Sequence, residues 1–199
     1  MFKSITNKTW EYIKIARIEL IIITVIIMFD LLSKGIAQHT INNKQQIFLI
    51  SKYFSFYFSI NPNSTFGLDW LMENPRLYFT IKTIIGLIIF SYFLYRFRGK
   101  CVLLRLPFAF IIAGIFGNGF DRLFIISSDG YYGVRDFLRV DLFINISGNV
   151  YTVITNFNIA DVSLDVGLVF VIYTLFKYKS DIEKWVNKYR KNVIIQKPQ

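Results

Sequence analysis

Four long, mainly apolar stretches constrain the fold of this chain more than any other feature. Each is close to the ~20 residues that a helix needs to cross the hydrocarbon core of a bilayer. Apolar residues also make up 54% of the chain, more than a soluble domain usually contains. The sequence therefore predicts an α-helical polytopic membrane protein, with residues 1–199 forming a single membrane domain. The predicted transmembrane helices cover about residues 18–37, 77–95, 102–120 and 160–178.

Lysine and arginine are distributed unevenly around these stretches. Of the 23 basic residues, 15 lie in the amino-terminal segment, in the connection 96–105 and in the carboxy-terminal segment. The positive-inside rule then places both termini in the cytoplasm, including a basic tail at 179–199. It places the two long loops, 38–76 and 121–157, outside. No small-residue cleavage site follows the first stretch, so we expect an uncleaved helix rather than a signal peptide.

Residue counts exclude several kinds of site. Cys101 is the only cysteine and His39 the only histidine. The sequence therefore does not supply the residues for an internal disulfide, a histidine-based zinc site or a Ser-His triad. The net charge is +10, but the basic residues flank the apolar stretches. This distribution is typical of a membrane protein and does not indicate nucleic-acid binding. We expect no metal and no cofactor, so any catalysis falls to carboxylates.

Both long loops have the character of β-strands. Residues 47–60 and 137–156 mix aromatic and β-branched residues with a partial period of two. Tyrosine and phenylalanine also suit the interface between membrane and water. The sequence therefore predicts a small β-rich element on the extracytoplasmic surface.

Three aspartates stand at or beside the ends of apolar stretches, on the expected outer face: Asp121, Asp136 and Asp161. A carboxylate next to hydrocarbon costs several kcal/mol or loses its charge, so it needs a pairing or functional reason. Two carboxylates brought together can share a proton and act as general base and general acid. Asp161 also opens the fourth stretch, where a helix amino terminus favours an anion.

Each of these aspartates has a simpler explanation as well. Asp161 could cap the fourth helix. Asp136 could form a weak loop ion pair with a neighbouring arginine, Arg135 or Arg139. Asp121 could pair locally with Arg122, which is the interpretation that we prefer for it.

A different class of function, a small carrier or proton-linked transporter, is also open at this point. Asp30, Lys34, Asp121, Asp161 and Asp165 would then form a relay. Such a protein should carry acidic residues in mid-membrane and an internal repeat, whereas these aspartates lie at one face and the two halves do not resemble each other. A non-catalytic membrane chaperone fits the composition but leaves the aspartates unexplained. On spacing alone, Asp30 and Lys34 are a helical ion pair one turn apart.

Five short motifs occur in order along the chain and cover the four helices and both outer loops. Their order, spacing and topology resemble the lipoprotein signal peptidases (signal peptidase II), the bacterial membrane aspartic proteases that trim prolipoproteins. The motifs are Asp30–Lys34 (DLLSK), Asn61–Gly67 (NPNSTFG), Gly114–Arg122 (GIFGNGFDR), Gly133–Phe137 (GVRDF) and Phe157–Asp161 (FNIAD) continuing to Gly167.

The resemblance implies an aspartic endopeptidase that cleaves prolipoproteins on the amino side of the lipid-modified cysteine. Its catalytic pair would be Asp136 and Asp161, and no metal or cofactor would take part. The implied partners are lipid-modified prolipoproteins and membrane lipids, and the implied location is the bacterial cytoplasmic membrane, with a monomer whose site faces outward. The implied substrate-binding residues are Asp30, Lys34, Asn61, Asn118, Arg122 and Asn158. The residues assigned a structural role are Asp121, Gly114 and Gly117.

Three residues depart from the family pattern. Asn63 and Thr65 stand where glycine and alanine are usual, and Val162 stands where serine is common. Asparagine tolerates the left-handed backbone that a glycine supplies, so the turn at this motif is compatible with the departure. The departures concern the fine geometry of substrate binding and leave the implied reaction class unchanged.

Overall fold

The computed structural model describes residues 16–41, 45–62, 75–147 and 149–180, together with 183 and 187. Asn63, Thr65 and most of the basic tail lie outside the described residues. Within these residues, four long helices and four strands alternate in small groups. In chain order they are α1 (Arg17–Thr40), β1 (Gln46–Ile50), β2 (Phe54–Asn61), α2 (Pro75–Arg96), α3 (Val102–Phe124), β3 (Val134–Ile146), β4 (Asn149–Phe157) and α4 (Ile159–Lys177).

The four predicted membrane spans are confirmed as helices that are long and apolar enough to cross a bilayer. Two of them extend further than the hydropathy pattern indicated. Helix α1 continues to Thr40, so His39 lies in its last turn rather than beyond it. Helix α3 continues to Phe124, which places Asp121 and Arg122 inside the helix. The polar end of α3 is thus helical, and its side chains are spaced by helical turns.

Helix α3 is the central helix of the bundle. In its most apolar stretch of 18 residues, 50% of the residues are buried, whereas the corresponding share is no more than 22% in each of the other three helices. Small residues allow this close packing. A Cβ atom at Gly114 would lie 2.5 Å from the carbonyl oxygen of Ala160, and one at Gly117 would lie 2.5 Å from a carboxylate oxygen of Asp30. A Cβ atom at either position would clash unless a neighbouring atom moved, so glycine allows the close approach of α1 and α4 to α3.

The expected β-rich element is confirmed as a four-stranded antiparallel sheet with the order β1-β2-β3-β4. Strand β2 pairs with β3 between Val134 and Val140, and Ser59 lies opposite Asp136. Beyond Val140, β3 and β4 continue as a hairpin that β2 no longer covers. The first four residues of β3 are buried, while its distal half is exposed.

An apolar cluster joins the sheet to the helices. It is built on Ala37 and Ile41 at the end of α1, Phe58 of β2 and Phe137 of β3. Ile159, the first residue of α4, packs against the same cluster. Burial of these large side chains holds the first half of β3 against the ends of α1 and α4. Asp136, the residue before Phe137, is therefore fixed next to the start of α4.

Candidate active site

Asp136 in β3 and Asp161 in the first turn of α4 share one neighbour, Asn158. The side-chain amide of Asn158 donates to Oδ1 of Asp136 at 2.8 Å. The backbone N–H of Asn158 donates to Oδ2 of Asp161 at 3.0 Å, and its side-chain oxygen accepts from the Asp161 N–H at 3.0 Å. The structure therefore brings together the two aspartates that the sequence analysis paired.

Two further asparagines bind the remaining carboxylate oxygens. Asn61, at the end of β2, donates to Oδ2 of Asp136 at 3.1 Å. Asn118, on α3, donates to Oδ1 of Asp161 at 2.7 Å. All of these donors are neutral amides, which orient a carboxylate but do not titrate. A proton shared at this site can thus be held by the carboxyl groups themselves.

The position of Asp136 shifts its titration toward neutral pH. Its side chain is almost completely buried, with 2% exposed. This burial, together with the nearby charge of Asp161, raises the pKa of Asp136 to about 6, against the lowering effect of its hydrogen bonds from Asn61 and Asn158. A carboxyl group that titrates near the working pH is suited to general acid–base chemistry.

Helix α4 begins where it does because Asn158 and Asp161 form a capping box. Asn158 has an extended backbone at the N-cap, and Asp161 stands three residues later and returns the hydrogen bond. Asp161 is therefore a capping residue, as the simpler explanation suggested. Only one of its carboxylate oxygens serves the cap, and the other binds Asn118. Asp161 is thus both a capping residue of α4 and a part of the candidate site.

A buried ion-pair cluster supports the two aspartates from the side of α1. Lys34 Nζ lies 2.8 Å from Asp30, 3.3 Å from Asp121 and 3.1 Å from the side-chain oxygen of Asn118. The free oxygen of Asp30 accepts from the backbone N–H of Ala160 at 2.8 Å. Asp30 and Lys34 thus form the helical ion pair that their spacing predicted. Because both are fully buried, they act on the site through the residues that they hold.

The expectation for the partner of Asp121 was wrong. Asp121 pairs with Arg135 across a loop, with Nη2 of Arg135 2.6 Å from Oδ1. Neighbouring residues on a helix point in different directions, so Asp121 and Arg122 are poorly placed to meet. Arg122 instead lies 3.8 Å from the ring centre of Phe79 and donates to the carbonyl of Pro62.

The simpler explanation for Asp136, a loop ion pair, is not what the structure shows. Asp136 lies within strand β3 rather than in a loop. The guanidinium of Arg135 binds Asp121, and that of Arg139 binds Asp141 at 2.7 Å. The partners described for Asp136 are the amides of Asn61 and Asn158.

The residues of the hypothetical transporter relay do not form a path across the bilayer. Asp30, Lys34 and Asp121 form one buried cluster, and Asp161 is linked to it through Asn118. Asp165, one helical turn further along α4, has an exposed side chain. The described residues also contain no group of three or more histidine, cysteine or acidic side chains placed to hold a metal ion.

An open cavity of about 280 Å³ lies beside the site between α2, α3 and α4. Asn118 and Arg122 line one part of it, and apolar side chains such as Phe79, Phe90 and Leu164 line most of the rest. Asn118 links the cavity to the site, because it lines the cavity and also donates to Asp161. The arrangement can hold an apolar segment next to two carboxyl groups.

Comparisons with known proteins agree with this arrangement. The family described as Signal peptidase (SPase) II matches residues 22–177. The lipoprotein signal peptidase of Clostridium novyi (strain NT) is 28% identical over 159 residues, covering 80% of this chain and 97% of the relative. That of Aquifex aeolicus (strain VF5) is 29% identical over 183 residues, covering 91% of this chain and 95% of the relative.

A solved structure described as a bacterial membrane enzyme, determined by the in meso method at 2.3 Å resolution, has the same fold. It superposes with a TM-score of 0.65 at 26% identity, covering 82% of this chain and 90% of the other. A second, at 1.9 Å resolution, gives a TM-score of 0.61. Since the family match reaches every helix and strand and includes both aspartates with their three asparagines, the chain belongs to the signal peptidase II family and is a bacterial membrane protease that removes signal peptides.

Proposed function

We propose that this protein is an aspartic endopeptidase that removes the signal peptide of lipid-modified prolipoproteins, with Asp136 and Asp161 as its catalytic pair. The observation that carries the proposal is the position of Asn158, which binds both carboxylates at one site. Family membership supplies the reaction, removal of signal peptides from prolipoproteins, and the relatives named above are lipoprotein signal peptidases.

The pair hydrolyses the peptide bond with one shared proton. Asp136 carries that proton at the start, because its pKa is raised to about 6. Asp161 takes a proton from water, and the water oxygen attacks the scissile carbonyl carbon while Asp136 protonates the carbonyl oxygen. When the C–N bond breaks, the proton held by Asp161 goes to the leaving amine, and a hydroxyl of the tetrahedral intermediate returns a proton to Asp136, which restores the starting state. No covalent acyl-enzyme forms.

The surrounding residues divide into contacting and positioning groups. Asn118 and Arg122 line the cavity beside the pair, so they contact the substrate directly. Asn61 and Asn158 fix the carboxylate of Asp136. The buried pair of Asp30 and Lys34 positions Asn118 and the start of α4 rather than touching substrate.

The cavity and the membrane together select the substrate. The apolar walls of the cavity receive the signal-peptide segment that precedes the cleavage site. The diacylglyceryl group on the cysteine stays in the outer leaflet, where each buried methylene is worth ~0.8 kcal/mol. This anchoring presents the bond on the amino side of the cysteine to the pair and supplies orientation without a large recognition surface. The enzyme works as a monomer with both termini in the cytoplasm and its site at the extracytoplasmic face.

Cleavage of a diacylglyceryl-modified prolipoprotein by the purified protein tests the proposal. Wild-type enzyme should release a shorter product, and Asp136→Asn and Asp161→Asn should each lower the rate by at least ~100-fold, the contribution expected of a general acid or base. Asparagine is nearly isosteric and its side-chain oxygen can still serve the cap at position 161, so both variants should fold. Asp129→Asn makes the same change at an exposed loop residue and should keep full activity. Turnover by a folded Asp136 or Asp161 variant at the wild-type rate removes that residue from the catalytic pair.

A further inference from the structure

Arg135 is a buried charged residue that the mechanism above does not use. It directly precedes Asp136 in β3, and only 8% of its side chain is exposed. Its guanidinium donates to Oδ1 of Asp121 through Nη2 at 2.6 Å and through Nε at 3.2 Å. The remaining Nη1 donates to the side-chain oxygen of Gln38 at 3.2 Å. One side chain of β3 is thus tied to both α3 and α1.

The backbone of Arg135 is held by the same carboxylate. Its N–H donates to Oδ2 of Asp121 at 3.0 Å, so Asp121 binds both the main chain and the side chain of this residue. Successive side chains of a strand point to opposite faces. Fixing Arg135 toward α3 therefore fixes the direction in which Asp136, the next residue, presents its carboxyl group.

The same contact leads through a continuous polar chain to the second aspartate. Asp121 binds Lys34, Lys34 binds the side-chain oxygen of Asn118, and Asn118 donates to Asp161. Arg135 is thus a covalent neighbour of one catalytic aspartate and is connected to the other through three side chains.

The charges of the buried side chains in this hydrogen-bonded path balance only when Arg135 is included. The buried carboxylates of Asp30 and Asp121 face the two cations Lys34 and Arg135. Without the guanidinium, Lys34 would have to balance the charges of both Asp30 and Asp121. It would then be drawn away from the side-chain oxygen of Asn118 and toward Asp121. A buried charge that loses its partner is strongly unfavourable, so the side chains would rearrange.

We propose that Arg135 is a positioning residue of this peptidase, which orients Asp136 toward Asp161 by tying the start of β3 to Asp121. The inference rests on the proposed catalytic pair. A guanidinium suits this role better than an ammonium, because its planar fork can make two hydrogen bonds to one carboxylate and still reach Gln38. Arg135 does not need to touch the substrate.

Kinetic constants of Arg135 variants, expressed per folded enzyme, test the proposal. Arg135→Gln should lower kcat by at least ~10-fold, since small displacements of a reacting group are costly. Its KM should stay within about twofold of the wild-type value, because no substrate contact is lost. Arg135→Lys keeps the charge without the fork and should give an intermediate kcat. Arg139→Gln is the matched control, because it breaks an ion pair of the same strand away from the site and should leave both constants unchanged.

Folded protein is quantified by size-exclusion chromatography and resistance to proteolysis, so that loss of fold is not counted as loss of kcat. If Arg135→Gln does not fold, Arg135→Lys and Gln38→Ala, which removes only one acceptor, carry the test with smaller expected losses of kcat. A kcat within twofold of wild type in the folded Arg135 variants, or a change confined to KM, overturns the proposal. Asp136→Asn in the same assay distinguishes the failure of the two proposals. If this variant is active, the proposed catalytic pair is wrong. If it is inactive, a negative result with the Arg135 variants concerns only the positioning role of Arg135.

Discussion

Replacing Asp136 with asparagine should stabilise the protein at neutral pH while it abolishes proteolysis. Burial and the charge of Asp161 raise the pKa of Asp136 from 3.8 to about 6. That shift corresponds to ~3 kcal/mol of unfolding free energy at pH values well above 6. The side chain is suited to its chemistry because the folded protein holds it in an environment that disfavours its charged form.

The sign of the pH dependence follows from the direction of the shift. A carboxyl group with a raised pKa favours the folded state only while it is protonated, so the free energy of unfolding falls as the pH rises from about 4 to about 6. Asparagine removes this penalty but places an amide group against Asn61 or Asn158, which costs about 1 kcal/mol at every pH. The net gain of Asp136→Asn is therefore ~2 kcal/mol at pH 8, and it disappears near pH 4.

Denaturant unfolding of detergent-solubilised wild type and variant at pH 4.5 and pH 8 measures this difference. Asp141→Asn is a control with the opposite sign, because the hydrogen bond from Arg139 lowers the pKa of Asp141. That variant should lose stability by a similar amount at pH 4.5 and pH 8, because both values lie above the ordinary pKa of the group. An equal effect of Asp136→Asn at both pH values, or a net loss at pH 8, would refute the reasoning about the burial of Asp136.

Three further outcomes are expected. The value of kcat/KM should fall above about pH 6, by up to ~10-fold per pH unit, as the pair loses its shared proton; a rate that rises steadily from pH 6 to pH 9 contradicts this. A peptide with an unmodified cysteine should be cut far more slowly than its diacylglyceryl form, and EDTA should have no effect; equal rates, or a loss that zinc restores, would overturn the mechanism. In a Cys101→Ser background, Asp129→Cys should react with an impermeant thiol reagent in intact cells and Lys100→Cys should not, and the reverse result would invert the topology.

The membrane architecture could be predicted because its signals are local. Each span shows its length and hydropathy within one stretch of sequence, and the strands show their alternation within one loop. The ends of the helices were less accessible. Helix α3 continues through polar residues to Phe124, since Asp121 finds buried cationic partners there that hydropathy does not reveal.

The candidate pair could be named from the sequence, but its surroundings could not. Asn158 and Asp161 do carry a local signal, the Asn-x-x-Asp spacing of a capping box, which the sequence analysis did not use. The link between Asp30 and the backbone of Ala160 joins residues 130 positions apart, and no pattern along the chain marks it. The partner of Arg135 is 14 positions away across a loop whose path the sequence does not specify.

The exposed half of the β3–β4 hairpin fits the expected position of the sheet at the membrane surface. Beyond Val140 two strands continue without a third, and no charged residue occurs between Leu142 and Phe157. Ile144 and Val150, one on each strand, are among its exposed apolar side chains. An isolated hairpin is marginally stable in water, so a surface of this kind needs an apolar neighbour. The interfacial region of a bilayer, next to the helix ends where the sheet is attached, would supply one.

The two aspartates have neutral amides as their direct neighbours and a cation only at a greater distance, and this arrangement has a chemical reason. Amides of Asn61, Asn118 and Asn158 contact the carboxylates, whereas Lys34 stands one residue further away. A cation in direct contact would stabilise the charged form and remove the shared proton. An amide orients a carboxylate without adding a net charge, so it is compatible with the proposed sharing of one proton by the pair. The more distant Lys34 lowers the pKa of Asp136 only slightly, which leaves it near 6 and still able to donate.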